Sequence, residues 1–316
     1  MSMPSDATPE RILQRLDWHV VRRLDGLLQG DYRTLFYGAG IDLADLREYQ
    51  PEDDIRYIDW NVTARMDTPY VRQYVEDRDI TGWFLLDLSP SLEFGTLQKS
   101  KHAMLVDFVT TLARLLTRHG NRVGALLYGK GVERMIPARA GRTHVLQLLH
   151  AMQNRPQASA AAAPTSTRLT DLLQAGATFI RRRSTIFVVS DFISEPGWEK
   201  PLAQLAQRHE VLAVRLLDPL ERELPDLGLI PLRDAETGQE LWVDTHDRGF
   251  RHRFAQLAAQ RDDQLRAALT RAGVDALELS TEGELLNAIV RFIELRRQRL
   301  RAASGGGVPS HLRKSA

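Results

Sequence analysis

Asp87, Ser89 and Ser91 stand at alternate positions directly after the apolar run Trp83-Phe84-Leu85-Leu86. One carboxylate and two hydroxyls at this spacing make an all-oxygen donor set. Hard oxygen donors without His or Cys suit Mg²⁺, with Mn²⁺ and Ca²⁺ as the alternatives, rather than zinc. Two further loops carry the same chemistry. Thr165-Ser166-Thr167-Arg168-Leu169-Thr170-Asp171 leads into an apolar helical pattern, and Ser190-Asp191 closes the β-branched run Thr185-Ile186-Phe187-Val188-Val189. Octahedral Mg²⁺ takes oxygens at about 2.1 Å and keeps several waters. In such a site Ser89, Ser91 and one loop threonine bind directly, while Asp87 and Asp191 hold bound waters.

These donors need a scaffold that delivers three separated loops to one place. A short continuous apolar run bounded by turn residues predicts a buried strand of a parallel sheet. Such runs lie at 83–87, 122–128, 185–189, 210–217 and 274–279. They alternate with helical patterns at 99–119, 143–152, 169–182, 200–208, 247–272 and 282–301. A strand at 132–136 is expected as part of a hairpin. The alternation predicts an α/β fold, a doubly wound and mostly parallel sheet with helices on both faces. Parallel strands send their carboxyl ends to one edge, where ligands of such sheets sit. All three polar loops are therefore expected to converge there.

Additions flank this core. Residues 9–29 form an amphipathic helix that Thr8 can cap, Pro9 can open and Gly30 can end. Its apolar face, Ile12, Leu13, Leu16, Val20, Leu24, Leu27 and Leu28, must pack on something. The segment from Asp45 to Asp79 is rich in arginine, acids and aromatics, and reads as an arm ordered by bidentate ion pairs or as a recognition surface. Residues 229–244 read as an antiparallel hairpin around Thr237-Gly238. Residues 156–164 read as a linker or exposed loop.

Composition narrows the function. With 42 basic and 41 acidic residues the net charge is +1, which supplies no field for nucleic acid or an anionic membrane. The absence of cysteine removes disulfides, thiolate metal sites and a Cys nucleophile. No apolar run approaches the roughly 20 residues of a membrane span, and Met1 to Glu10 lacks the apolar stretch of a secretory signal. A cytoplasmic protein with no membrane span is expected.

The donor residues carry a resemblance. Asp87-Leu88-Ser89-Pro90-Ser91, a loop threonine and Ser190-Asp191 at the end of a strand resemble the metal-ion-dependent adhesion site of von Willebrand factor A domains. The resemblance implies that Thr167 is the threonine ligand, because Thr167-Arg168-Leu169-Thr170-Asp171-Leu172-Leu173 is similar to the family's loop and helix. Thr165 and Thr170 are the fallbacks, and the Gly-Gly usual before that threonine is absent. A second resemblance covers most of the chain. Leu46-Arg47-Glu48-Tyr49-Gln50-Pro51-Glu52-Asp53-Asp54-Ile55-Arg56-Tyr57-Ile58-Asp59-Trp60, followed by Ala64-Arg65, resembles the signature of the uncharacterised bacterial family numbered fifty-eight among domains of unknown function. That family usually has Gly where Glu52 stands. The resemblance implies that the arm, on residues 1–80 with the N-terminal helix, is joined to a von Willebrand A-like domain on 81–300; residues 301–316, with three glycines, a proline and scattered basic residues, read as a disordered tail. The resemblance also implies a non-enzymatic, metal-assisted binding protein that works with a MoxR-type AAA+ ATPase, a chaperone in protein or cofactor maturation, and with a client protein.

Other chemistries fit less well. Gly124 to Lys130 imitates a phosphate loop, but Gly131 replaces the required Ser or Thr. Gly38-Ala39-Gly40 lacks the third glycine and the preceding strand of a dinucleotide fingerprint. The nine histidines form no zinc pair, and no Gly-x-Ser-x-Gly elbow is present. A Mg²⁺- or Mn²⁺-dependent hydrolase at the same sheet edge, using Glu52, Asp53 and Asp54 as paired carboxylates, is the alternative.

Overall fold

The structure, a computed structural model, describes residues 8–27, 46–50, 53, 55, 58, 60–66, 68–72, 81–95, 99–154, 167–233 and 239–304. The chain opens with α1 (Pro9–Leu16), a π turn over Asp17–Val21, and α2 (Arg22–Leu27). β1 (Leu46–Glu48), α3 (Trp60–Met66) and β2 (Tyr70–Arg72) follow, and β1 pairs with β2 antiparallel. Then come β3 (Thr81–Asp87), α4 (Lys101–Arg118), β4 (Arg122–Tyr128), β5 (Val132–Arg139), α5 (Arg142–Gln153), α6 (Leu169–Phe179) and β6 (Thr185–Ser190). The remainder is α7 (Glu199–Arg208), β7 (Glu210–Leu217), β8 (Leu229–Arg233), β9 (Glu240–Asp244), α8 (Arg248–Ala272), β10 (Asp275–Ser280) and α9 (Leu285–Ser304).

The main sheet has the order β10-β7-β6-β3-β4-β5. All neighbours are parallel except β5, which runs antiparallel to β4 at one edge. Successive strand residues face opposite sides. Phe84, Leu86, Phe187 and Val189 therefore join the core layer under α4, α5 and α9, while Leu85, Ile186 and Val188 join the layer under α6, α7 and α8. Phe84 stacks on Phe187 across β3 and β6, ring centroids 5.1 Å apart. The strands are apolar on both faces because both faces are covered. Gly124 is needed where β4 passes close to its neighbours. A Cβ there would lie 2.8 Å from the Trp83 ring and 3.0 Å from the Ala138 backbone N.

The connections create the crevice. From β3 the chain crosses through α4 to β4 on one side, then returns through α5 and α6 to β6 on the other. Strand order thus reverses at β3 and β6, and open α/β sheets bind ligands beyond the carboxyl ends at such a point.

The first helix docks on this core. Leu13 and Leu24 are fully buried in the same layer as Val145, Leu148 and the inner face of α4. Arg15 donates to Asp107 at 2.8 Å and Arg114 to Asp17 at 3.0 Å. Such partly exposed pairs contribute under about 1 kcal/mol each, so burial does most of the docking.

Element ends differ from the sequence expectation for local reasons. α4 starts at Lys101 rather than 99, because Ser100 caps it by accepting from Ala103 N at 3.1 Å. α6 ends at Phe179 rather than 182, because Ile180 turns extended and buries its side chain. The last helix runs to Ser304, past the tail boundary expected at 301, since Ala302 and Ala303 favour helix. The strand expected at 132–136 reaches Arg139. The hairpin of β8 and β9 forms as expected, with Thr237 and Gly238 outside the described residues. The helix end at Gly30, the linker at 156–164, the tail at 305–316 and the arm residues Glu52, Asp54, Arg56 and Asp59 also lie outside them.

Leu13→Ala is expected to destabilise the chain by about 2–5 kcal/mol, the range for emptying a buried leucine site. Urea unfolding of the full chain measures it. A loss under about 0.5 kcal/mol would show that the first helix is not part of the cooperative core.

Candidate metal centre

Asp87 is the last residue of β3 and is fully buried. The sheet register pairs Leu86 with Val189, which makes Asp87 and Ser190 the next opposed residues. Their side chains meet: Ser190 Oγ donates to Asp87 Oδ2 at 2.6 Å. The other oxygen, Oδ1, accepts from Ser89 N at 3.0 Å. Ser190 Oγ in turn accepts from Phe192 N at 2.9 Å, so one carboxylate ties the loop after β3 to the loop after β6.

Ser89 precedes a short 3₁₀ turn, Pro90–Glu93. A serine there commonly caps the turn with its hydroxyl, yet Ser89 makes no side-chain capping bond. Its Oγ lies 3.0 Å from Ser91 Oγ instead, both side chains being buried. Asp191 is also buried. Its Oδ1 accepts from Ile193 N at 2.9 Å and its Oδ2 from Lys101 Nζ at 2.8 Å. The chain then bends through Phe192 at φ +59°, the left-handed region that a bulky residue rarely adopts. Packing of the Phe192 ring on Trp198, centroids 5.5 Å apart, holds that conformation.

Thr167 is buried beside the start of α6. Its carbonyl accepts from Ser194 Oγ at 2.9 Å and Glu195 N at 3.0 Å. Arg168 N donates to the Tyr128 hydroxyl at 3.1 Å. The loop before α6 is thus fastened to the loop after β6 and to the end of β4. Thr170 sits within the first turn of α6, and Thr165 lies outside the described residues. Asp87, Ser89, Ser91, Thr167 and Asp191 come from three loops joined along one sheet edge.

The electrostatics are those of crowded acids. Burial pushes the Asp87 carboxyl up to about 6 from its ordinary 3.8, the Asp191 charge adds to the rise, and the bonds from Ser190 and Ser89 oppose it. Tyr128 is raised first by burial and then by Asp171 and Asp87, against the Arg168 backbone bond. Lys101 is held above its ordinary value. Burial favours its neutral form, but the charges of Asp191 and Glu221 outweigh that. Lys101 Nζ also donates to Glu221 Oε1 at 2.5 Å and lies 5.9 Å from the Phe94 ring centroid. Two carboxylates, Asp191 and Glu221, therefore share one ammonium, and the Asp191 charge in turn acts on Asp87.

This donor set fits a hard divalent cation. Among the described residues no group of three or more His, Cys, Asp or Glu is placed to hold a metal, so a shell led by those groups does not suit the site. The hydroxyls of Ser89 and Ser91, 3.0 Å apart, are neutral oxygen donors of the kind such a cation takes, next to the buried Asp87. Neutral ligands leave much of a cation's charge unspent, which favours an outside carboxylate as the last ligand.

Lys101, Glu221 and Ser194 were not singled out from the sequence as site residues. Lys101 had a signal. It falls three and four residues before Met104 and Leu105, on the apolar face of its helix, where a lysine needs a partner.

Comparison with known proteins follows from this architecture. Residues 45–264 match the family described as Protein of unknown function DUF58. The chain belongs to this family. It is 38% identical over 288 residues to "Uncharacterized protein Rv1480" of Mycobacterium tuberculosis, covering 90% of this chain and 89% of that one. "Uncharacterized protein MAV169" of Mycobacterium avium is 35% identical over 165 residues, covering 52% of this chain and 94% of its own. Among solved structures, conserved hypothetical protein BatB from Bacteroides thetaiotaomicron aligns with a TM-score of 0.44 at 14% identity, over 69% of this chain and 99% of that one. The SpRpn10 VWA domain aligns with a TM-score of 0.37 at 12% identity, over 67% and 93%. Among the described residues no helix is long and apolar enough to cross a membrane.

The raised pKa of Asp87 ties the stability of the fold to pH. The folded chain holds this proton more tightly than the unfolded chain. Its contribution is complete below pH 3.8 and is lost as pH rises through about 6, a change of about 3 kcal/mol. Asp87→Asn cannot ionise. In chelator at pH 7 it is expected to be more stable than the wild type by about 1–3 kcal/mol, the advantage vanishing near pH 4. Urea unfolding at both pH values checks this, and an Asn variant less stable at pH 7 would contradict it.

Proposed function

We propose that this chain is a metal-ion-dependent protein-binding adaptor rather than an enzyme, working with a MoxR-type AAA+ ATPase on a client protein. What carries the reading is the hydroxyl pair Ser89 and Ser91, 3.0 Å apart and free of capping duty, in front of the buried Asp87 at the switch point of the sheet. The ATPase partnership rests on the family resemblance of the arm signature.

The residues divide the work. Asp87 fixes the Ser89 backbone and the Ser190 hydroxyl, and so sets the spacing of the two loops. Ser89, Ser91 and Thr167 present oxygen lone pairs, while Asp87 and Asp191 supply charge from behind. Tyr128, anchored by Arg168 N, closes the side of the site towards β4. A bound Mg²⁺ would supply the electrophilic position that an Asp or Glu of the partner completes.

The test is an affinity pull-down with the full chain and a purified MoxR-type ATPase, in Mg²⁺ and in chelator. Binding is expected to be at least about tenfold stronger in Mg²⁺, about 1.4 kcal/mol, and this gain is lost in Ser89→Ala/Ser91→Ala. Binding unchanged in chelator, or in a folded Asp87→Ala chain, would contradict the proposal. Mg²⁺-dependent turnover of phosphoesters or peptides would replace it with the hydrolase reading.

A further inference from the structure

The lysine at the centre of the acid cluster has a place that a purely structural ion pair does not need. Lys101 lies at the first turn of α4 and is 1% exposed. Its ammonium takes Asp191 Oδ2 at 2.8 Å and Glu221 Oε1 at 2.5 Å. Asp191 belongs to the ion site, and Glu221 belongs to a different strand end, the 3₁₀ turn Pro219–Glu221 after β7. The other Asp191 oxygen is held by the Ile193 backbone, so Lys101 occupies the oxygen that a cation or its water shell would address.

We infer that the Lys101 ammonium is a tethered cation that competes with the divalent ion for Asp191, with Glu221 as the acceptor that keeps it when the ion binds. The inference rests on the ion-dependent reading above and concerns how that site is regulated. Glu221 is suited to the role. Its side chain is 19% exposed against 0% for Asp191, so it can hold the ammonium at the rim. Its Oε2 accepts from Asp218 N in a capping box, and Asp218 is itself buried and bonded to Thr281 at 2.7 Å. The acceptor is therefore fixed in place before the exchange. Two like-signed charges within a few ångströms repel strongly at a protein edge. The ammonium thus lowers ion affinity in the resting chain, and ion binding is coupled to the turn at 219–221.

The experiment is Mn²⁺ binding to the full chain by electron paramagnetic resonance, with Mg²⁺ competition and circular dichroism to verify folding. Lys101→Met is expected to bind Mn²⁺ about tenfold more tightly than the wild type, the repulsion and the competing bond both being removed. Its melting temperature is expected to fall in chelator and to be restored by Mg²⁺. Glu221→Gln keeps the capping oxygen and is expected to bind Mn²⁺ several-fold more weakly. In the Lys101→Met background that substitution should have much less effect. A folded Lys101→Met chain with unchanged or weaker Mn²⁺ affinity overturns the inference while leaving the ion-dependent reading intact. If Lys101→Met fails to fold, Glu221→Gln decides, and affinity at or above wild type overturns the inference. A wild type that binds no Mn²⁺ beside a Lys101→Met chain that does would support the lysine as competitor and refute ion dependence of the native chain. Absence of binding in both refutes both.

Discussion

Two carboxylates buried at the ends of adjacent parallel strands, Asp87 and Asp191, are the constraint that shapes this protein. Left unpartnered, such groups would be unstable away from water. The chain answers with internal donors: backbone N–H groups of Ser89 and Ile193, the Ser190 hydroxyl and the Lys101 ammonium. Burial, and after it the Asp191 charge, still raises the Asp87 carboxyl. On the proposed reading, a cation at this edge would relieve that cost, with the surrounding hydroxyls as its neutral ligands.

The scaffold follows from the same requirement. Reversal of strand order at β3 and β6 opens a crevice where the two acids lie, and the apolar layers on both faces hold the strands rigidly beneath it. The loops are bolted to one another by a side-chain to side-chain bond, Ser190 to Asp87, and a side-chain to backbone bond, Ser194 to Thr167, rather than by ion pairs alone. Strain at Phe192 is confined to the residue after Asp191, where the sharp bend aims the carboxylate, and Trp198 holds it.

Much of this was legible in the residues. Runs such as Phe84-Leu85-Leu86 and Ile186-Phe187-Val188-Val189 announce strands because a parallel sheet covered on both faces must be apolar throughout. Ser and Asp at their ends then stand at the binding edge by topology alone. The amphipathic face of the first helix was readable too, but not its partner, since periodicity says that a face is buried and not against what. The π turn at Asp17–Val21 left no mark in the apolar pattern. Lys101 and Glu221 were overlooked because charged residues near helix and turn starts usually meet solvent. Their pairing spans 120 residues of chain, and no local pattern reports it.

The central claim is that the three loops hold a divalent cation at one centre. Crystals of the full chain grown with Mn²⁺, measured at the manganese absorption edge, test it most directly. The account predicts one anomalous peak bordered by the hydroxyls of Ser89, Ser91 and Thr167, with Asp87 and Asp191 behind them. A map with no peak there, or a peak bound elsewhere while these side chains keep their mutual bonds, would contradict it.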